Sequence, residues 1–268
     1  MSWHQGPIYI VTPSHTPSWL NLSHPRIHIV VQDSLIPDPN DRPTFNSNAL
    51  EQQLWRIPNL TDVFVHMNDD YFFGKDVMPW HLFTVDGGCR FFFEKNVIHG
   101  GRVQSQKYFQ EKIRIWLSSV YHTKATLDEA YGYHTRYYLK HAPFVYRRES
   151  LRRMQARWPD LFKSTAAQRF RHWFDLLTPF MHHYYVIEEG SKCCGDTYEI
   201  ASPGEMLKET GFVIINDDTT PDDQNLLRIQ TLHPRFFTIN DNFNNLEKAR
   251  QIKNLLDNLF PNKSQFEL

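Results

Sequence analysis

Three things are scarce in this chain of 268 residues: surplus charge of one sign, long apolar runs, and cysteine. Lys and Arg number 29 against 30 Asp and Glu, a formal net charge of −1. Without a basic field nothing draws a nucleic acid, and without a block of like charge no acidic or basic tail is expected. No apolar run approaches the roughly 18 residues a membrane span requires. The first residues, MSWHQGPIYIVTPS, lack the charged start and longer apolar stretch of a secretory signal. Cys89, Cys193 and Cys194 are too few for a disulfide framework or a thiolate zinc site, and are expected to be buried or idle thiols. Glycine is also sparse, at 11, beside 15% aromatics, which excludes a low-complexity chain.

What is there reads as one α/β domain over residues 1–268, long enough to bury one substantial core. Short β-rich runs at 8–11 and 27–31 precede a proline-rich loop at 37–43. Asn46 or Ser47 caps a helix expected to reach about Arg56, and Pro58 turns the chain into a strand at 63–67. This strand–helix–strand rhythm predicts a mostly parallel, Rossmann-like or GT-A-like sheet flanked by helices. The strands near 8–11, 27–31, 63–67, 212–215 and 235–239 are expected in a single sheet. Helical spacing marks 102–120 (Ile113, Leu117 and Val120 on one side), 126–131, 149–158 and a segment beginning at Ser164. A closing helix at about 244–260 should pack Leu246, Ala249, Ile252, Leu255 and Leu259 in one stripe.

The chemistry concentrates where apolar strands run into carboxylates and amides. Asn68-Asp69-Asp70 follows strand 63–67, and Asn240-Asp241-Asn242 follows strand 235–239. Open α/β sheets bind ligands at the carboxyl ends of their strands. Adjacent carboxylates there repel unless a hard cation or donors offset the charge. Asn46, Asn48 and Glu51 sit at a helix start, suited to sugar hydroxyls, a phosphate or plain capping. Asp86, before Gly87 and Gly88, reads first as a turn residue and second as the border of a donor pocket. His141 precedes Ala142-Pro143, a structural position or that of a base near neutral pH. Arg171 and Asp175 are spaced i and i+4 for one helix face, with His172 between them. They form either a solvated ion pair or an arginine held so that its planar fork grips a diphosphate. His182 and Tyr185 share a face of the next apolar helix, with a polar tip expected toward the site.

The run from IYIVTPSHTPSWLNLSHPRIHIV through PTFNSNALEQQLWRIPNLTDVFVHMNDDYFFGKDV resembles conserved region 2 of the Stealth family of sugar-1-phosphate transferases. HAPFVYRRESL with FRHWFDLLTPFMHHYYVIEEG resembles region 3, and RFFTINDNF resembles region 4. The three regions fall near 8–110, 135–190 and 233–260. The family's opening strand, of the type DIVYTWVDGSD, is missing, which points to a fragment or an incomplete gene model. The resemblance implies a nucleotide-sugar donor of the UDP-N-acetylglucosamine type and a glycan or glycoprotein acceptor. It further implies Mg²⁺ or Mn²⁺ on Asp69, Asp70 and Asp241, with His141, Arg171 and Asp70 as the catalytic groups. Asn46, Asn48, Glu51, Asn68, Asp86, His172, Asp175, His182, Asn240 and Asn242 are then expected to contact substrate. A bacterial capsule enzyme of this kind would be cytoplasmic, a eukaryotic one Golgi-lumenal. Two rivals are a GT-A glycosyltransferase using the same donor and a non-catalytic nucleotide-sugar or glycan binder.

Overall fold

The computed structural model describes residues 3–111, 115–220 and 223–268. Eleven strands are formed among them: β1 (Ile8–Thr12), β2 (Ile27–Val31), β3 (Val63–His66), β4 (Tyr71–Phe73), β5 (Cys89–Phe91), β6 (Phe93–Val97), β7 (Tyr137–Leu139), β8 (Phe144–Arg147), β9 (Tyr198–Ile200), β10 (Thr210–Asn216) and β11 (Phe236–Asn242). The class is mixed α/β, but the expected single parallel sheet is not formed among the described residues. The strands lie in five small sheets: β1–β2, β10–β11–β4, β3–β8, β5–β9 and β6–β7.

Two of the pairings explain the departure. β3 takes β8 as an antiparallel partner, Val63 opposite Arg147 and His66 opposite Phe144. β4 runs antiparallel to β11, Phe73 opposite Phe236 and Tyr71 opposite Thr238. Only β1–β2, β5–β9 and β10–β11 are parallel. Period-2 apolar runs carry no record of which distant strand they meet, so the rhythm along the chain misled on topology. The close approach of β4 to the start of β11 depends on Gly74, where a Cβ would stand 2.3 Å from the Pro234 carbonyl oxygen. The Gly74 N–H donates to the Arg235 carbonyl at 3.0 Å.

One large core, rich in Phe and Tyr, joins the strands to the helices Ile115–Tyr131, Arg148–Arg157 and Thr178–Tyr185. A smaller one, built on Val213, Ile215, Ile229, Phe237, Ile239 and Leu255, lies under β10 and β11. The helix from Asn46 is shorter than expected, Ser47–Glu51 followed by a 3₁₀ turn Leu54–Arg56. The one expected from Ser164 is instead Pro159–Ala166, and 167–177 is not helical. In the closing helix, Leu246–Leu259, Leu255 is buried whereas Leu246 and Ala249 face solvent. Cys193 and Cys194 are joined by a disulfide rather than idle, while Cys89 is free and buried. Ile113 lies outside the described residues, as do Pro221 and Asp222. Among the described residues no helix is long and apolar enough to cross a membrane.

Candidate functional site

The antiparallel run of β4 on β11 brings the two Asn/Asp clusters together. Beyond the Tyr71–Thr238 pair, the Ile239 N–H donates to the Asp70 carbonyl at 3.3 Å. The ladder ends there, and Asp241 comes near enough for its charge to act on Asp70. Asn68 closes the turn, its carbonyl accepting from the Tyr71 N–H at 3.2 Å. Burial raises the Asp70 pKa, its own backbone N–H opposes that, and the charges of Asp69 and Asp241 raise it further. The parallel β10 adds an amide rim, with Asn242 Nδ2 donating to Asn216 Oδ1 at 2.8 Å. Asp217, at a third strand end, accepts from the backbone N–H groups of Asn244 and Asn245 at 3.1 and 3.0 Å and so holds a turn.

A second group gathers at the Ser47–Glu51 helix. Asn46 caps it, its Oδ1 accepting from the Asn48 N–H at 3.1 Å. Asp175 Oδ2 accepts from Asn46 Nδ2 at 2.8 Å, from Asn48 Nδ2 at 3.4 Å and from the His172 N–H at 2.7 Å. Asn46, Asn48 and Asp175 are all buried. The two amides expected to meet substrate are therefore turned inward, where they fasten the helix start to the 171–175 segment. Arg171 does not form the expected helical pair with Asp175. Its Nη2 donates to Ser47 Oγ at 2.8 Å, leaving the guanidinium exposed, and its charge still acts on Asp175 and Glu51. The Glu51 carboxyl is enclosed and its Oε2 has no hydrogen-bond partner. Burial pushes its pKa up to about 7, against the pull of Arg171. Glu51 in turn raises Tyr71 and Tyr146, both already raised by burial, and so connects this group to Asp70 through Tyr71.

His141 stands on the other side of Tyr71, their ring centroids 6.3 Å apart, and stacks on Phe212 at 4.3 Å. It lines a cavity of about 140 Å³ with Glu94, Lys140, Gly211, Phe212 and Arg228. Burial lowers its pKa, Glu94 opposes, and Lys140 adds to the lowering, so the imidazole is neutral at pH 7. His182 belongs to the core: its Nε2 meets the Arg147 N–H at 3.5 Å and burial lowers its pKa to about 3. No polar tip reaches the site, because the imidazole packs against Tyr146 of β8, ring centroids 4.8 Å apart. His172, half-buried, lies among aromatic rings, 4.4 Å from Phe109 and 4.0 Å from Phe174. Asp86 is an exposed turn residue that accepts from Thr84 Oγ1, with Gly87 at φ +80 beside it. Tyr71 and Tyr146 were missed in the sequence, and Ser47 was read only as a possible helix cap. Tyr71 follows Asp70 directly and was legible, whereas Tyr146 comes in only through its pairing with Phe64.

The Asp175 hub carries a stability prediction. Asp175→Ala leaves buried amide and backbone donors without an acceptor, each worth about 1–3 kcal/mol. The expected loss is about 2–4 kcal/mol in urea unfolding. A loss below about 0.5 kcal/mol, the size of an ordinary surface change, refutes the hub.

Fold and site together define a mixed α/β protein with Asp70 beside Asp69 and Asp241, Arg171 beside Glu51, and His141 in a cavity of its own. Residues 1–91 match conserved region 2 of the Stealth proteins and residues 140–188 match conserved region 3. The chain belongs to the Stealth family. It is 30% identical to an exopolysaccharide phosphotransferase of Streptomyces coelicolor over 243 residues, 85% of this chain and 39% of that protein. It is 29% identical to one of Nocardia farcinica over 97% of this chain and 49% of that protein. The exopolysaccharide phosphotransferase CpsY of Mycobacterium tuberculosis is 30% identical over 97% of this chain and 46% of its own length. The chain thus spans less than half the length of these curated relatives.

Proposed function

We propose that this chain transfers a sugar 1-phosphate from a nucleotide-diphospho-sugar to a hydroxyl of an acceptor glycan. The observation that carries this reading is that Asp70 stands beside Asp241 and Glu51 beside Arg171, with Tyr71 between the two groups and acted on by both Asp70 and Glu51. The relatives named as exopolysaccharide phosphotransferases support it. The acceptor oxygen attacks the sugar-proximal phosphorus, the bond from that phosphorus to the bridging oxygen breaks, and a nucleoside monophosphate leaves. Such a transfer is governed by positioning and by stabilising charge on the phosphoryl oxygens. Arg171 suits a diphosphate because its fork offers paired donors.

Two titrating groups are displaced in opposite directions, the pattern that separates acid from base in one site. His141, held neutral, takes the acceptor proton. Glu51, half protonated near pH 7, donates toward the phosphoryl oxygens. Among the described residues no three Asp, Glu, His or Cys side chains converge into a cation cage. The expected three-carboxylate set of Asp69, Asp70 and Asp241 is thus not assembled, but the mutually repelling Asp70 and Asp241 suit Mg²⁺ or Mn²⁺, since Mg²⁺ commonly takes one or two carboxylates plus substrate phosphates and water. When bound there, the ion supplies positive charge to the diphosphate.

The test is product analysis. The protein is incubated with a panel of nucleotide sugars, an acceptor glycan and Mg²⁺ or Mn²⁺. Release of the nucleoside monophosphate with a phosphodiester-linked product is expected. Release of the diphosphate instead identifies a glycosyltransferase, and binding with no release identifies a non-catalytic binder.

A further inference from the structure

Phe45 and Phe170 are 66% and 68% exposed, yet they are not loose surface side chains. Their rings stack on each other with centroids 5.5 Å apart and planes 15° apart. The Phe45 N–H donates to the Arg169 carbonyl at 2.8 Å, which ties the two backbones at that level. One residue further along each strand of chain, Asn46 is fastened to Asp175 and Arg171 to Ser47. The fold therefore holds two phenyl rings in solvent beside the Asn46–Asp175 and Ser47–Arg171 contacts, where apolar surface is unfavourable unless something covers it.

The charge around the pair says what covers it. Arg169 and Arg171 flank Phe170 and both are exposed. Neither 43–48 nor 168–174 contains a carboxylate. The amides of Asn46 and Asn48, which could have read sugar hydroxyls, are already bonded to Asp175. A flat π face beside guanidinium groups matches a nucleotide, with the base extending the stack and a phosphate on Arg171. A sugar ring would find the aromatic face but not these two amides.

We infer that the Phe45–Phe170 pair is the platform for the nucleobase of the donor. The inference rests on the nucleotide-linked donor proposed above. It is tested by binding alone, with calorimetry of UMP, ribose 5-phosphate and N-acetylglucosamine on the protein as it is. The unsubstituted protein is expected to bind UMP about tenfold or more tightly than ribose 5-phosphate, the size of effect that one stacking aromatic gives. Phe45→Ala and Phe170→Ala should erase that difference and leave ribose 5-phosphate unchanged. Phe170→Trp should keep it, and Arg171→Lys should weaken both phosphates alike. Because both rings are exposed, thermal unfolding should show the alanine variants folded. A UMP preference that survives both alanine changes overturns the platform and leaves the nucleotide donor standing. Loss of N-acetylglucosamine binding instead of UMP binding assigns the rings to a sugar and also overturns it. No UMP binding by the unsubstituted protein sinks the platform and the nucleotide-donor reading together.

Discussion

Asp70→Asn is expected to lower turnover by about 10²–10³-fold, the scale of removing one group that stabilises developing charge, and to leave the fold at least as stable. The two halves of this result follow from one cause. Asp70 is partly buried and stands against the charges of Asp69 and Asp241, so its ionised form is disfavoured in the folded chain. Its folded pKa lies above its unfolded value. Its contribution to stability is therefore present below the unfolded pKa and is lost as pH rises through the folded one. Asparagine has no charge to desolvate and so escapes that loss. Asp241→Asn should behave similarly in turnover, since it removes a charge from the same cluster. Steady-state rates at limiting and saturating Mg²⁺, beside urea unfolding at pH 7, check both halves. Full activity at limiting Mg²⁺ would reduce these carboxylates to turn residues.

Glu51→Gln should cut kcat by about 10²–10⁴-fold, the usual range for removing a general acid or base. The remaining activity should change its pH dependence. With His141 as base and Glu51 as acid, the rate of the unsubstituted enzyme rises with pH as the imidazole loses its proton, below the ordinary value of 6.5. It falls again as Glu51 ionises near 7. Glu51→Gln should remove the alkaline limb alone, and His141→Ala the acidic limb alone. The stability sign is the same as for Asp70. The Glu51 carboxyl lies between an unfolded value of 4.5 and a folded one of about 7, so its contribution fades across that window as pH rises. The glutamine variant should therefore gain stability relative to the unsubstituted protein between pH 5 and pH 8. A gain of about 1 kcal/mol would raise Tm by about 2–4 °C in a chain near this size. An unchanged rate profile after Glu51→Gln would remove the residue from proton transfer, whatever its effect on Tm.

Much of the candidate site was legible because its chemistry is local. Asn68-Asp69-Asp70 follows β3 as expected, and Asn240-Asp241-Asn242, expected just past its strand, forms the last three residues of β11. Asn46 also caps its helix as its residue type predicts. The Arg171–Asp175 pair was misread for a physical reason. An i, i+4 spacing brings side chains together only on a helix, and 167–177 is not helical. The same spacing on an irregular segment let Arg171 turn to Ser47 while Asp175 turned inward to Asn46. His182 was misplaced because helical periodicity tells which residues share a face but not what that face meets. In the fold it meets Tyr146 and β8, so the imidazole is sealed in the core.

By itself the sequence determined the mixed α/β class, most strand positions, the family resemblance and the residue types able to handle a phosphorylated ligand. These follow from side-chain periodicity, capping and local composition, all of which act over a few residues. The tertiary structure decided the rest: that β4 meets β11 antiparallel, that Glu51 is enclosed near Arg171, and that Phe45 stacks on Phe170. Strand pairing depends on which distant backbone edge offers a matching register. A carboxyl pKa depends on how much water the surrounding chain removes. Neither quantity exists until segments far apart in sequence have packed together.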